Sequence, residues 1–298
     1  MKNLVQKLLA PLAAAVLCTA GFAADKIPVT ASFSILGDLV RVVGGERVAV
    51  TSLVGPDEDA HVFEPKPSDA KTILASKLLV TNGLGFEPWA QKLAKSAGYK
   101  GASVVASKGV KGRTLTDEKG RPEADPHAWQ DPTNVVLYVR NIASALGQID
   151  PAGASAYQAN SEAYVQELQT LDAWAKEQFA AIPAPKRKVI TSHDAFGYFA
   201  AHYQLQFLAP QGVSTEAEPS AKEVAKLIRQ IQREKIKAVF MENMSNPKLL
   251  AQLSKDAGVI LGASLYADAL SGPGQPGSSY LLMARHNVTQ LALGMQNN

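Results

Sequence analysis

The chain has 298 residues, 46% of them hydrophobic, with 30 Lys plus Arg against 27 Asp plus Glu. That length suits two ordinary domains or one large one, and the near balance of charge argues against a nucleic-acid partner. One cysteine, Cys18, excludes an internal disulfide.

The first residues, MKNLVQKLLAPLAAAVLCTAGFAAD, join Lys2 and Lys7 to an apolar run from about Leu8 to Ala20 and then to small residues. This reads as a signal peptide over residues 1–23, cleaved after Ala23 and too short for a membrane span. Leu17 ahead of Cys18 is a poor lipobox, so lipid anchoring at Cys18 is not expected. Cleavage leaves 28 basic and 27 acidic residues and no thiol, so a soft-metal site would have to use imidazole and carboxylate. The mature chain contains no other apolar segment of membrane length, and a soluble exported protein, in the periplasm, is expected.

Short β-branched runs then alternate with amphipathic stretches. RVAVTSLV, KLLVTNG and ASVVAS come early; KVITSH, LQFLAP, KAVFMEN and GVILGAS come late. Such alternation predicts an α/β fold with largely parallel sheets. Helix starts are marked in KPSDAKTILAS and, with proline in the first turn, in QDPTNVVLYVRNIASALG and EPSAKEVAKLIRQIQREK.

Between the two groups lies an Ala, Gln, Glu and Leu segment without an internal breaker beyond Gly153. It predicts one helix over residues 151–182, roughly 45 Å long, with Asp150 and Pro151 at its start. The expected organisation is an α/β lobe over residues 24–150, this connecting helix, and a second α/β lobe over 183–298. Residues 107–125, mixed in charge and rich in glycine, read as a mobile surface loop.

Five histidines are present. His61 follows RVAVTSLV; His127 sits in DPHAWQDP, where Pro126 and Pro132 restrict the backbone; His193 ends KVITSH, at the sheet edge where open α/β folds keep their sites. His202 and His286 fall in helical stretches and read as solvated or core-edge residues. Among carboxylates, Glu64, Asp125, Asp131, Asp194, Glu242 and Asp268 are all placed to contribute. Position favours Glu242 and Asp268, both after late strands, and spacing does not choose between them.

The chain has no HExxH, G-x-S-x-G or P-loop, and NGLGFE supplies only two glycines of a dinucleotide loop. Five motifs do occur in order: GPDEDAHVFEPKPSD, DPHAWQDP, TSHDAFGYFAAHYQL, GVSTEAEPSAKEVAKLI and SLYADALS. Around a long central helix, they resemble the solute-binding proteins of bacterial zinc and manganese ABC importers, the cluster A-I metal receptors.

The resemblance implies two α/β lobes joined by one long rigid helix, with the metal held by His61 and His127 from the first lobe and His193 and Asp268 from the second. It also implies a monomer that captures metal outside the cytoplasm and passes it to a permease whose ATPase is a separate chain. The segment before His127 is a place where a periplasmic metal chaperone could dock. Three imidazoles and one carboxylate suit Zn²⁺, with Mn²⁺, or iron, as the alternative cargo. Binding without turnover is expected, because four protein ligands close a site that catalytic zinc leaves open. The competing readings are a zinc-dependent hydrolase using Asp268 or Glu242 as base, and an adhesin or organic-solute receptor.

Overall fold

The computed structural model describes residues 25–116, 121–216, 219–245 and 247–298; the expected signal peptide and Cys18 lie outside them. β1 (Ile27–Phe33), α1 (Ser34–Gly44), β2 (Val48–Val54), α2 (Pro67–Ala75), β3 (Leu78–Thr81), α3 (Pro88–Ala97) and β4 (Ala102–Val105) alternate strand and helix. The four strands form one parallel sheet in the order β2-β1-β3-β4. Strand β1 is central, and its IPVTASF run buries Val29, Ala31 and Phe33 on one face and Thr30 and Ser32 on the other, as expected for a strand covered on both faces.

The expected loop over residues 107–125 is in large part a hairpin. β5 (Arg113–Thr116) pairs antiparallel with β6 (Pro122–Asp125), and residues 117–120 between them lie outside the described set. A tertiary tie explains what local composition did not indicate: the Tyr198 hydroxyl accepts the Arg113 N–H at 3.0 Å and donates to the Asp125 carbonyl at 3.1 Å.

α4 (Pro132–Ile149) starts as its sequence predicts, with Pro132 in the first turn and the Asp131 carboxylate accepting the Thr133 N–H at 2.8 Å. The long helix is α5 (Ala154–Ala180), 27 residues or about 40 Å. Its start differs from expectation, because Pro151–Gly153 form a separate 3₁₀ turn and Asp150 caps nothing with its side chain. That carboxylate is drawn away instead, accepting from Arg47 at 2.7 Å and from the Tyr157 hydroxyl at 2.6 Å.

After α5 come β7 (Lys188–Ile190), α6 (Gly197–Tyr203), β8 (Gln206–Leu208), α7 (Ala221–Glu234), α8 (Pro247–Ala257) and α9 (Tyr280–Gln296). β7 and β8 pair in parallel. KAVFMEN and GVILGAS, expected as full strands, appear as isolated parallel bridges, Ile190 with Val239, Val239 with Leu261, and Glu242 with Leu265. The ladder is interrupted because the Val239 N–H turns back to the Lys237 carbonyl at 3.0 Å rather than crossing to a neighbour.

Two helices cross both halves. In α5, Tyr157, Tyr164, Val165, Leu168 and Leu171 join the core around the first sheet, while Ala175 and Phe179 join the core beside β7. In α9, Tyr280, Met283 and Ala284 belong to the first core, and Val288, Leu291, Ala292 and Met295 to the second. Each large apolar side chain buried in this way contributes roughly 1.5 to 3 kcal/mol, so this double seam resists relative motion of the halves. The sequence showed α5 as a connector; α9 gave no local sign of the same role.

Candidate metal centre

The site lies at the carboxyl ends of the parallel strands, where loops from both halves meet. His61 sits in the loop after β2, His127 between β6 and the 3₁₀ turn Ala128–Gln130, His193 three residues beyond β7, and Asp268 three beyond the bridge residue Leu265. One ligand-capable atom from each of these four lies within 4.8 Å of the others, the only such group among the described residues.

The contacts are close and similar. His61 Nε2 is 3.4 Å from His127 Nε2, which is 3.4 Å from His193 Nε2. Asp268 Oδ2 lies 3.2 Å from His61 Nε2 and 3.1 Å from His193 Nε2, and Asp268 Oδ1 lies 3.5 Å from His127 Nε2. The side chains of His127, His193 and Asp268 are 0% exposed and that of His61 is 6% exposed. Neither oxygen of Asp268 takes a hydrogen bond among the described residues. An unpaired buried carboxylate is costly unless it is neutralised, and here it faces only the imidazole nitrogens.

Local structure fixes which nitrogen points inward. Asp125 Oδ1 accepts both the His127 backbone N–H and Nδ1–H, each at 3.0 Å. Glu242 Oε2 accepts Nδ1–H of His193, while Oε1 takes the backbone N–H groups of Ser192 and His193 at 2.9 and 3.1 Å. A carboxylate can only accept, so Nδ1 carries the proton in both rings and the Nε2 lone pair is left for the centre. Glu242 and Asp268, indistinguishable by spacing, therefore sit on opposite sides of His193.

Aromatic walls complete the enclosure. Phe86 packs edge-on to His61 at 4.8 Å. The NGLGFE turn presents it through Gly83, Leu84 and Gly85, all at positive φ and two of them glycines that adopt this without strain. Glu87 holds that turn by accepting from Ser32 Oγ at 2.8 Å and from the N–H groups of Asn82 and Gly83. Trp89 Nε1 donates to the Ala60 carbonyl, and Trp129 Nε1 to the Ala267 carbonyl, each at 2.9 Å. These two bonds pin the peptides before His61 and Asp268, and no sequence signal marked them.

Burial disfavours charge on Asp268, yet neighbouring His127 and His193 outweigh it and hold the carboxyl well below the usual range. Burial likewise disfavours imidazolium, but Glu242 and Asp268 lift His193 well above an ordinary histidine, and Asp268 with Asp125 lift His127. Asp125, Glu242 and Asp268 are all buried around the imidazoles, with Arg113 reaching Asp125 at 3.3 Å.

The other candidates stand apart. Glu64 is exposed, Asp131 caps α4, and burial pushes Asp194 up to about 6. His202 pairs with Asp172 at 2.6 Å, and His286 donates to the Ser264 carbonyl at 2.8 Å.

The family described as zinc-uptake complex component A, periplasmic, matches residues 29–294. The chain is 33% identical over 271 residues to the manganese-binding lipoprotein MntA of Halalkalibacterium halodurans, covering 91% of this chain and 89% of the relative. It is 32% identical over 285 residues to the metal ABC transporter substrate-binding lipoprotein SloC of Streptococcus mutans, covering 93% of each. The periplasmic zinc-binding protein TroA of Treponema pallidum has the same fold, with a TM-score of 0.85 at 27% identity over 91% of this chain and 99% of that one. Both sequence relatives are named lipoproteins, which stands against the low expectation of an anchor at Cys18. Matches of this extent make the chain a member of the zinc-uptake component A family, metal-binding receptors of ABC importers and not enzymes.

Proposed function

We propose that the protein captures Zn²⁺ outside the cytoplasm on His61, His127, His193 and Asp268 and delivers it to the permease of an ABC importer. The observation that carries this reading is the set of five distances, 3.1 to 3.5 Å, among the three imidazole Nε2 atoms and the two oxygens of Asp268. A tetrahedron with bonds of about 2.0 to 2.1 Å has edges of about 3.3 to 3.4 Å. An ion placed between these atoms would need little rearrangement of the protein. Three imidazoles and one carboxylate are borderline ligands that suit zinc better than the harder manganese.

One feature favours manganese as a second reading: both oxygens of Asp268 are free of hydrogen bonds and could bind together, raising the oxygen count. The manganese-binding name of MntA points the same way. Metal-free protein offered equimolar Zn²⁺ and Mn²⁺, then desalted and assayed for bound metal, decides between them. Zinc should occupy about one site per chain; a manganese-dominated fraction would overturn the zinc assignment and leave the receptor role intact.

The same geometry supports delivery. The ligands come from loops on both sides of the cleft, so a partner that parts the loops would dismantle the site. The chain would work as a monomer, with its permease and ATPase as separate proteins.

A further inference from the structure

The loop carrying His61 reaches across to the other half of the molecule just ahead of that histidine. Asp59 divides its carboxylate: Oδ1 accepts the His61 backbone N–H at 2.9 Å, and Oδ2 accepts the Thr215 hydroxyl at 2.7 Å. Two residues earlier, Asp57 Oδ1 accepts from Asn243 Nδ2 at 2.8 Å, and the Asp57 N–H donates to the Leu270 carbonyl at 2.8 Å. Asp57 has a φ of 57°, a left-handed conformation that costs a non-glycine residue energy and persists where surrounding contacts enforce it. His61 is also the one partly exposed member of the cluster, so this side faces solvent.

We propose that residues 57–59 form a strap that positions His61 from the opposite half, with Asp59 and Thr215 as its latch, and that the latch sets how fast bound metal leaves. The inference rests on the reading that His61 is a ligand. Asp59 does not touch the metal; it is a positioning residue, because one carboxylate ties the backbone of His61 to a hydroxyl across the cleft. Breaking the latch leaves all four ligands in place but lets the His61 loop swing out more often. The release rate should then change far more than the capture rate.

The test uses the mature protein loaded with Co²⁺ as a spectroscopic stand-in for zinc, with release into excess chelator followed by absorbance. Thr215→Val removes only the hydroxyl, and loss of a hydrogen bond of this kind should speed release about five- to tenfold. The cobalt ligand-field spectrum should stay unchanged, and Thr215→Ser should restore the slow rate. Asn243→Ala, which cuts the second cross-cleft bond at Asp57, should also speed release and serves if Thr215→Val does not fold. Release within twofold of the parent in a folded Thr215→Val or Asn243→Ala protein would overturn the strap. Parent protein that binds no cobalt, or binds it without the His61 imidazole, would overturn the ligand reading and the strap with it.

Discussion

At the scale of single residues, the site is built in two layers, and the outer layer determines what the inner one can do. His193 faces Asp268 with Nε2 and Glu242 with Nδ1, so Glu242 sets the ring's tautomer and orientation from the side away from Asp268. Glu242→Gln keeps the shape but removes the charge and offers an amide that can present the wrong atom. It should weaken zinc affinity by about 10- to 100-fold, the usual cost of losing such a partner, measured by chelator competition. An unchanged affinity would show that Glu242 only supports the fold.

Three carboxylates, Asp125, Glu242 and Asp268, give the pH dependence its direction. His127 and His193 have raised pKa values in the metal-free chain, through Asp268 with Asp125 and through Glu242 with Asp268, against the burial that opposes them. Their protonated forms therefore stabilise the metal-free fold below the unfolded value of about 6.5, and that contribution is lost as pH rises through the raised values. Metal needs both Nε2 atoms free of protons, so its affinity moves the other way. On acidification, zinc affinity should begin to fall while the pH is still above about 6.5 and should drop steeply toward about 5. A flat profile over that range would contradict a centre built on these imidazoles.

Among the elements, α5 and α9 matter most for the site, since each inserts side chains into both cores. Leu168 in α5 is 1% exposed, and Leu168→Ala should cost about 2 to 5 kcal/mol in urea unfolding. The alternation of β-branched runs made the α/β class legible, and Pro132 marked the start of α4; Pro219, expected in the first turn of α7, instead precedes that helix, which Ser220 caps. His61, His127, His193 and Asp268 were legible only as a set of motifs. Nothing around Asp268 in the chain distinguishes it from Glu242, because the difference lies in which face of His193 each one meets. The hairpin over Arg113–Asp125 and the two-core role of α9 were hidden for a related reason: Tyr198, and the partners of Met283 and Leu291, come from distant parts of the chain.

For the whole molecule, a cation held between the halves should stabilise both together. The helices that cross the cores leave no independent half to melt alone, so one thermal transition is expected. Metal at about 100 times its dissociation constant adds about 2.7 kcal/mol, and for a chain of this size that raises the melting temperature by roughly 5 to 10 °C. Chelation should reverse the shift; two transitions, of which only one responds to metal, would contradict the coupling.

We propose that one ion is held by three imidazoles and one carboxylate. Zinc X-ray absorption on protein loaded with a single equivalent reads this shell directly. A four-coordinate first shell of nitrogen and oxygen at about 2.0 to 2.1 Å, with outer-shell scattering from three imidazole rings, is the predicted result. A six-coordinate oxygen-rich shell, or one with fewer than three imidazoles, would contradict it.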